Sequence, residues 1–179
     1  MDIKSLIFSF MLFVFTALLG QESSKPLETV KKVDLNRYVG LWYEIAKIPN
    51  RFQKNCQSNT TAEYSLRDDG RINVKNSCSR ADGKRNVTEG IARIVENSNN
   101  SKLEVSFFSI LGIRPVWGDY WIIGLDDNYQ YAVIGDPDRK YGWILSRAQE
   151  LSKKNLEEAF QILRAKGYDT KRFEFTKQK

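Results

Sequence analysis

The two residues best suited to covalent chemistry are Cys56 and Cys78, the only cysteines among 179 residues. An even number of cysteines in an exported protein favours one disulfide. Each cysteine lies close to an end of a predicted strand, so an antiparallel hairpin would bring the two together. They are 22 residues apart, and closing such a loop contributes about 3 kcal/mol to stability. The alternative is a free reactive thiol, which would indicate a thiol-dependent enzyme.

The sequence contains no histidine. This removes the usual general base, the usual metal ligand and every triad that depends on imidazole. A glycine-rich phosphate loop and a Gly-x-Ser-x-Gly nucleophile motif are also missing from the sequence. We therefore expect a protein that is not an enzyme and that needs no metal or cofactor.

The composition is that of a globular, weakly basic protein. Hydrophobic residues make up 41% and charged residues 28% of the chain, and the formal net charge is +6. Lys and Arg are scattered and mixed with Asp and Glu, which indicates a solvated surface rather than a nucleic-acid-binding patch. We expect weak attraction to membrane surfaces as a secondary effect, and no nucleic-acid partner.

The first twenty residues have the pattern of an export signal. Lys4 precedes a largely apolar run from Leu6 to Leu19, which has the length of a signal-peptide core and is short for a membrane-spanning helix. We predict a signal peptide over residues 1–20, a flexible polar lead-in over residues 21–32 and one folded domain over residues 33–179.

Apolar and polar residues alternate in eight successive runs, as in strands that bury one face. The pair Asp69-Gly70 between two of these runs is a strong hairpin signal. Short turns separate most runs, which predicts an all-β fold, an eight-stranded antiparallel up-and-down barrel. The predicted strands cover residues 42–48, 59–66, 71–79, 87–96, 102–108, 117–125, 129–135 and 141–147.

After the eighth predicted strand, the spacing of apolar residues changes from the period of a strand to that of a helix. Ser152 suits the N-cap, and Gly167 suits the position beyond the last turn, where φ is positive. We expect one C-terminal helix on the outside of the barrel and a short final strand over residues 172–176. Four apolar residues form the predicted stripe of this helix: Leu156, Ala159, Phe160 and Leu163.

Residues 34–49 predict a short helical turn that leads into the first strand. Asp34 suits the cap of the turn, Gly40 lets the chain reverse, and Pro49 ends the strand. Strict alternation would place Trp42, Glu44 and Ala46 on one face of this strand. It would place Tyr43, Ile45 and Lys47 on the other face.

The motif Gly40-x-Trp42-Tyr43 after a short helix resembles the first signature of the lipocalins. Residues 125–129 stand where the second signature lies, and residues 143–147, which end in Arg147, match the third. The resemblance runs from about residue 33 to the C-terminus. Residues 135–147 look like the branch formed by bacterial lipocalins and apolipoprotein D-like proteins.

This resemblance implies roles for individual residues. The indole of Trp42 and the guanidinium of Arg147 would close one end of the barrel as a structural cation–π pair, with Gly40 and Tyr43 as further structural residues. A ligand would lie in an apolar cavity of the calyx, with Arg51 and Lys54 as candidates for contacting its polar group. Five side chains are expected to point inward and line that cavity: Tyr64, Asn76, Phe107, Trp121 and Trp143.

The function implied by the resemblance is binding, storage or transport of a fatty acid or lysophospholipid, serving lipid maintenance of the cell envelope. The alternatives are a carrier of a pigment, a sterol or a haem-like ligand, a thiol-dependent lipid-modifying enzyme, and a filled barrel that acts by protein contacts. We expect a monomer or homodimer that is periplasmic or secreted. Gln21 stands where a lipobox would have its cysteine, which argues against a lipid anchor.

Overall fold

The computed structural model describes residues 25–179, so the predicted signal peptide and Gln21 lie outside the described residues. The described chain contains two α-helices, α1 (Leu35–Tyr38) and α2 (Lys153–Ala165), and two short 3-10 helices, Arg51–Gln53 and Thr170–Arg172. Its strands are β1 (Gly40–Lys47), β2 (Ser58–Leu66), β3 (Ile72–Ser79), β4 (Arg85–Ile94), β5 (Lys102–Ser106), β6 (Gly118–Leu125), β7 (Tyr131–Gly135), β8 (Gly142–Ser146) and β9 (Glu174–Phe175).

Strands β1 to β8 form a closed antiparallel barrel. Each strand pairs with its neighbour in the sequence, and β1 pairs with both β2 and β8. The predicted eight-stranded barrel, the C-terminal helix and the short final strand are therefore confirmed. The turns that join β2 to β3, β4 to β5 and β6 to β7 lie at one end, called here the closed end. The opposite end, called the mouth, carries residues 48–57, 80–84, 107–117 and 136–141.

Apolar residues form two cores, because β6, β7 and β8 bury both of their faces. One core fills the barrel and includes Trp42, Ile122 and Ile134. The second core lies between the barrel wall and α2 and includes Ile144 and Leu163.

The helix α2 begins and ends as the sequence predicts. The Ser152 hydroxyl accepts a hydrogen bond from the N–H of Asn155, and Gly167 follows the helix with φ of +80°. The helix packs very close to β6, because a side chain on Gly124 would lie only 2.8 Å from Ile162. Within residues 25–179 the structure contains no helix long and apolar enough to cross a membrane.

A β-bulge in β1 makes the strict alternation wrong from Ala46 onward, whereas Ile45 still lies on the outer face with Tyr43. The pairing with β8 shifts between Glu44 and Ala46, and the extra residue reverses the faces that follow. Ala46 therefore belongs to the outer core, whereas Lys47 faces the barrel interior and its ammonium lies 3.1 Å from the Glu44 carboxylate.

Residues 25–32 of the predicted flexible lead-in pack against the barrel wall. Leu27 is buried in the outer core, and the N–H of Val30 donates to the carbonyl of Ile122. Thr29 and Ser101 share a hydrogen bond between their hydroxyls. The polar composition of this segment predicted flexibility, but its few apolar residues are enough to hold it against the outer face of the barrel.

The C-terminus completes the barrel wall near the mouth. Strand β1 pairs with β2 only from Gly40 to Tyr43, and β9 pairs with the rest of it, opposite Ala46 and Lys47. The N–H of Thr176 donates to Ile45, and the N–H of Asn59 donates to Lys177. Residues 174–177 thus fill the seam between β1 and β2.

The predicted disulfide is confirmed, since Cys56 and Cys78 are bonded with their Cα atoms 5.5 Å apart. It ties the 48–57 loop to the mouth end of β3. Neither cysteine is free, so the structure contradicts the alternative that depends on a thiol. The bond closes a loop whose ends are 22 residues apart.

Replacing both cysteines by serine should lower the free energy of unfolding by about 3 kcal/mol, because the unfolded chain gains the freedom that the cross-link removes. Urea unfolding measures this, and reduced wild-type protein should unfold at the same midpoint as the variant. A loss below about 1 kcal/mol, or two titratable thiols in the unreduced unfolded protein, would contradict the prediction.

Candidate functional site

The closed end of the barrel is sealed around Trp42 and Arg147. The guanidinium carbon of Arg147 lies 3.8 Å from the centre of the Trp42 ring. The indole is fully buried, and its N–H donates to the carbonyl of Tyr38. Gly40 has φ of +96°, and a side chain on it would lie 3.4 Å from the guanidinium. This end is a structural plug, as expected from the signature.

Three tyrosines form the floor of the space above this plug. Tyr120 shares a hydrogen bond of 2.7 Å with the hydroxyl of Tyr38 and receives one of 3.0 Å from the hydroxyl of Tyr64. They come from α1, β2 and β6. Burial raises the pKa of Tyr64 to about 12 and raises the pKa values of Tyr38 and Tyr120 well above their ordinary value.

These raised pKa values predict a specific loss of stability in alkali. A neutral buried tyrosine stabilises the fold fully below pH about 10, and this contribution falls as the pH rises towards the folded-state pKa. Each such tyrosine contributes a slope of about 1.4 kcal/mol per pH unit in that window. Tyr120→Phe should make the slope of unfolding free energy between pH 10 and 11 shallower by about that amount. Equal slopes for the variant and the wild type would contradict the prediction.

The inner face of the barrel becomes exposed towards the mouth. Near the closed end, Ile72, Ala92 and Leu103 are each 1% exposed. Closer to the mouth, Asn76 and Thr88 are paired across β3 and β4, and Asn76 also lies opposite Ala62 of the inner core. Opposite residues in an antiparallel pair face the same side of a sheet. Thr88 therefore faces inward and yet is exposed, and Asn76 is half-buried. The inner face of the barrel is therefore accessible to solvent near the mouth and packed below it, and the space beside Asn76 and Thr88 is called here the chamber.

A polar cluster lies in the wall of this chamber. The Glu44 carboxylate is buried and accepts hydrogen bonds from the ammonium of Lys47, the amide of Gln53 and the hydroxyl of Thr176. Buried charges are tolerated when they are paired and hydrogen-bonded in this way. The cluster joins β1, the 48–57 loop and the C-terminal segment at the mouth.

Aromatic rings line one side of the mouth. Trp143 packs against the inner core, and its N–H donates to the Gln53 side chain at 3.0 Å. Its ring stacks with that of Tyr141 at 6.2 Å, and Tyr141 contacts Phe52 at 5.6 Å. Phe52 is 62% exposed, so this row of rings runs from the chamber to the solvent.

The predicted site residues do not all meet in the chamber. Tyr64 faces inward but is 5% exposed and belongs to the floor. Asn76 and Trp143 face the chamber. Phe107 lies at the rim, since it follows the last residue of β5, is 42% exposed and has its ring where a side chain on Gly90 would point.

The expectation that Trp121 points inward is wrong. Its neighbours Tyr120 and Ile122 pack in the inner core, while Trp121 packs with the outer core. The ammonium of Lys102 lies 4.0 Å from the centre of its ring. Both faces of β6 are apolar because the wall is covered from outside, so its sequence shows no contrast between the two faces.

Other residues of the sequence prediction lie outside the chamber. Tyr43 lies in a cleft on the outer wall, beside Thr61 and Gln178. Arg51 and Lys54 are exposed on the 48–57 loop at the mouth. Sequence reasoning missed Tyr120, Thr88 and Lys47. Alternation could have found Thr88, but β6 is apolar on both faces, which hides Tyr120, and the bulge in β1 hides Lys47.

An antiparallel eight-stranded calyx with a plugged base, an open mouth and a helix on its wall defines a class of binding protein, and the comparisons with known proteins agree. Residues 33–178 match the lipocalin-like domain family. The chain belongs to the lipocalin family.

Its relatives include bacterial, plant and animal lipocalins. Temperature-induced lipocalin-1 of Arabidopsis thaliana is 40% identical over 157 residues, which are 86% of this chain and 84% of the relative. Outer membrane lipoprotein Blc of Escherichia coli (strain K12) is 35% identical over 167 residues, 93% of this chain and 91% of the relative. Apolipoprotein D of Macaca fascicularis is 36% identical over 167 residues, 89% and 84% of the two chains.

Among solved structures, insecticyanin of the tobacco hornworm Manduca sexta superposes with a TM-score of 0.68 at 25% identity, over 84% of this chain and 83% of that chain. The resemblance to the bacterial lipocalin and apolipoprotein D-like branch is confirmed. The family is one of proteins that bind small hydrophobic ligands and that are generally carriers rather than enzymes.

Proposed function

We propose that this lipocalin binds, stores or transports a fatty acid or a lysophospholipid in the mouth half of its barrel. The observation that carries the proposal is the exposure of inward-facing Thr88 and Asn76 above the buried floor. Leu103, which lies lower on the same inner face, is only 1% exposed.

The chamber suits a ligand that is apolar with one polar end. Trp143, Val105 and Phe107 offer apolar surface, and burying an acyl chain against it contributes about 0.8 kcal/mol per methylene group. The polar end would meet Asn76 and Thr88, with Lys47 in the wall and Arg51 and Lys54 on the loop at the mouth. A few polar groups in a mostly apolar pocket fix the orientation of a ligand.

We further propose that the protein is exported and acts in lipid maintenance of the cell envelope. The disulfide supports an oxidising compartment, and one relative is named an outer membrane lipoprotein. Gln21 at the position of the lipobox cysteine supports a form without a lipid anchor.

Native mass spectrometry of protein purified from its own host, followed by organic extraction, tests the ligand class. We expect close to one fatty acid or lysophospholipid per chain. Delipidated protein should regain the ligand in a titration followed by tryptophan fluorescence, because Trp143 lines the chamber. Protein that is empty and binds no apolar probe would overturn the proposal in favour of a filled barrel.

A further inference from the structure

The connection between β5 and β6 at the mouth exposes a cluster of apolar side chains. Leu111 is 98% exposed and Ile113 is 71% exposed. Exposed apolar clusters of this kind mark surfaces that bind a partner. Among residues 25–179, six of the eleven exposed large hydrophobic residues lie on this connection: Phe107, Phe108, Ile110, Leu111, Ile113 and Val116.

The tip of this connection is an ordered miniature hairpin. Ile110 and Ile113 exchange two backbone hydrogen bonds of 2.9 Å, and the residues between them, Leu111 and Gly112, have φ of +50° and +82°. Positive φ is costly for leucine, and asparagine or glycine would suit the turn better. Leu111 therefore combines a strained backbone, held by the hydrogen bonds between Ile110 and Ile113, with a side chain that is uncovered in the described chain.

The backbone of the tip is partly paired. Ile110 and Ile113 satisfy one another, whereas among the described residues the N–H and C=O groups of Leu111 and Gly112 have no hydrogen-bond partner, and such groups are costly to bury in hydrocarbon. At the base of the connection, the Arg114 guanidinium donates to the carbonyl of Ser106, and the indole N–H of Trp117 donates to the carbonyl of Arg114. The tip therefore suits the boundary between head groups and acyl chains, where water still reaches the backbone, rather than the hydrocarbon core.

The residues that follow the tip are of the types that anchor proteins at the surface of a membrane. Arg114 comes directly after the apolar tip and Trp117 three residues later, with the guanidinium carbon of Arg93 4.2 Å from the centre of the Trp117 ring. Tryptophan and arginine prefer the level of lipid head groups, where an apolar body and a polar edge are both satisfied.

The charge of the mouth fits an anionic surface. Residues 48–57, 80–84, 107–117 and 136–141 carry seven Lys or Arg and three Asp, a net charge of +4. The closed end is less basic: its turns, together with residues 31–39 and Arg147, carry six Lys or Arg and six acidic residues, a net charge of 0. Anionic lipids attract basic residues that lie near the membrane surface, so the mouth is the end that such a membrane attracts.

We propose that residues 110–113 insert into the surface of an anionic phospholipid bilayer, so that the barrel mouth faces the membrane. The apolar tip enters the boundary between head groups and acyl chains, and the cations of the mouth contact lipid phosphates. The proposal goes beyond ligand binding and holds for whatever ligand the chamber takes.

Vesicle flotation tests it with two variants of equal charge change. Leu111→Asp places a charge on the tip at a position where aspartate tolerates positive φ. Leu41→Asp is the matched control, since Leu41 is 42% exposed near the closed end. Wild-type protein should float with vesicles of phosphatidylcholine and phosphatidylglycerol, and Leu111→Asp should lower its partition coefficient at least about tenfold. Leu41→Asp should float as the wild type does, and vesicles of phosphatidylcholine alone should bind less protein.

Three results would overturn the proposal. They are no flotation of the wild type, equal flotation of Leu111→Asp, and an equal loss in Leu41→Asp. Sedimentation that shows a dimer broken by Leu111→Asp, without vesicle binding, would assign the tip to contact between two copies of the chain. A fatty-acid titration of Leu111→Asp should match the wild type, so failure of membrane docking is distinguished from failure of ligand binding.

Discussion

Arg147→Lys should lower the free energy of unfolding by about 4 kcal/mol, although it keeps the charge. The guanidinium Nη1 donates to the carbonyl of Leu41, and Nη2, which carries two hydrogens, lies 2.8–2.9 Å from the carbonyls of Arg37, Tyr38 and Val39, while the guanidinium stacks on Trp42. Each bond from a charged donor contributes about 1.5–3 kcal/mol, and the cation–π contact adds about 0.5–2 kcal/mol. An ammonium is not planar and cannot hold the stack and all of these bonds at once.

Differential scanning calorimetry measures this loss as a fall in melting temperature of about 8–16 °C for a chain of this size. Arg93→Lys is the matched control, because Arg93 stacks on Trp117 at 4.2 Å but its side chain is 49% exposed. Exposed pairs of this kind contribute less than about 1 kcal/mol. A melting temperature of Arg147→Lys within 2 °C or so of the wild type would remove Arg147 from its role as the structural closure.

Much of the fold was predictable from the sequence because most strands bury one face and expose the other. Tyr64 and Val74 alternate with polar residues along β2 and β3, and one buried face fixes which side of a strand faces inward. The end of α2 was predictable for a different reason, since Gly167 supplies the positive φ that ends a helix. The plug formed by Trp42 and Arg147 followed from the lipocalin signature rather than from alternation.

The errors arose where that contrast between faces is missing or interrupted. Trp121 lies on a strand that is apolar on both faces, so alternation could not orient it. Lys47 follows a bulge, and one inserted residue reverses every later assignment in β1. Leu27 lies in a polar segment whose burial depends on a barrel wall that is remote in sequence. Whether the chamber is open depends on how the strands assemble, and the sequence of a single strand does not contain that information.

Thr88→Trp should reduce the affinity for a fatty acid by at least about fiftyfold while leaving the fold intact. The inward side chain of Thr88 is exposed, so an indole there would occupy the chamber without displacing buried atoms. It would exclude several methylene groups of an acyl chain, each of which contributes about 0.8 kcal/mol when buried. Three excluded groups already correspond to about a fiftyfold loss, since 1.4 kcal/mol is a factor of ten.

Glu89→Trp is the control for this experiment, because Glu89 is the next residue of β4, is exposed and faces outward opposite Lys75. Isothermal titration of delipidated protein with a fatty acid should give wild-type affinity for Glu89→Trp and little or no heat for Thr88→Trp. Circular dichroism should show the same barrel in both variants. Equal affinities would place the ligand outside the chamber, because an indole at position 88 and an acyl chain beside Asn76 cannot share that space.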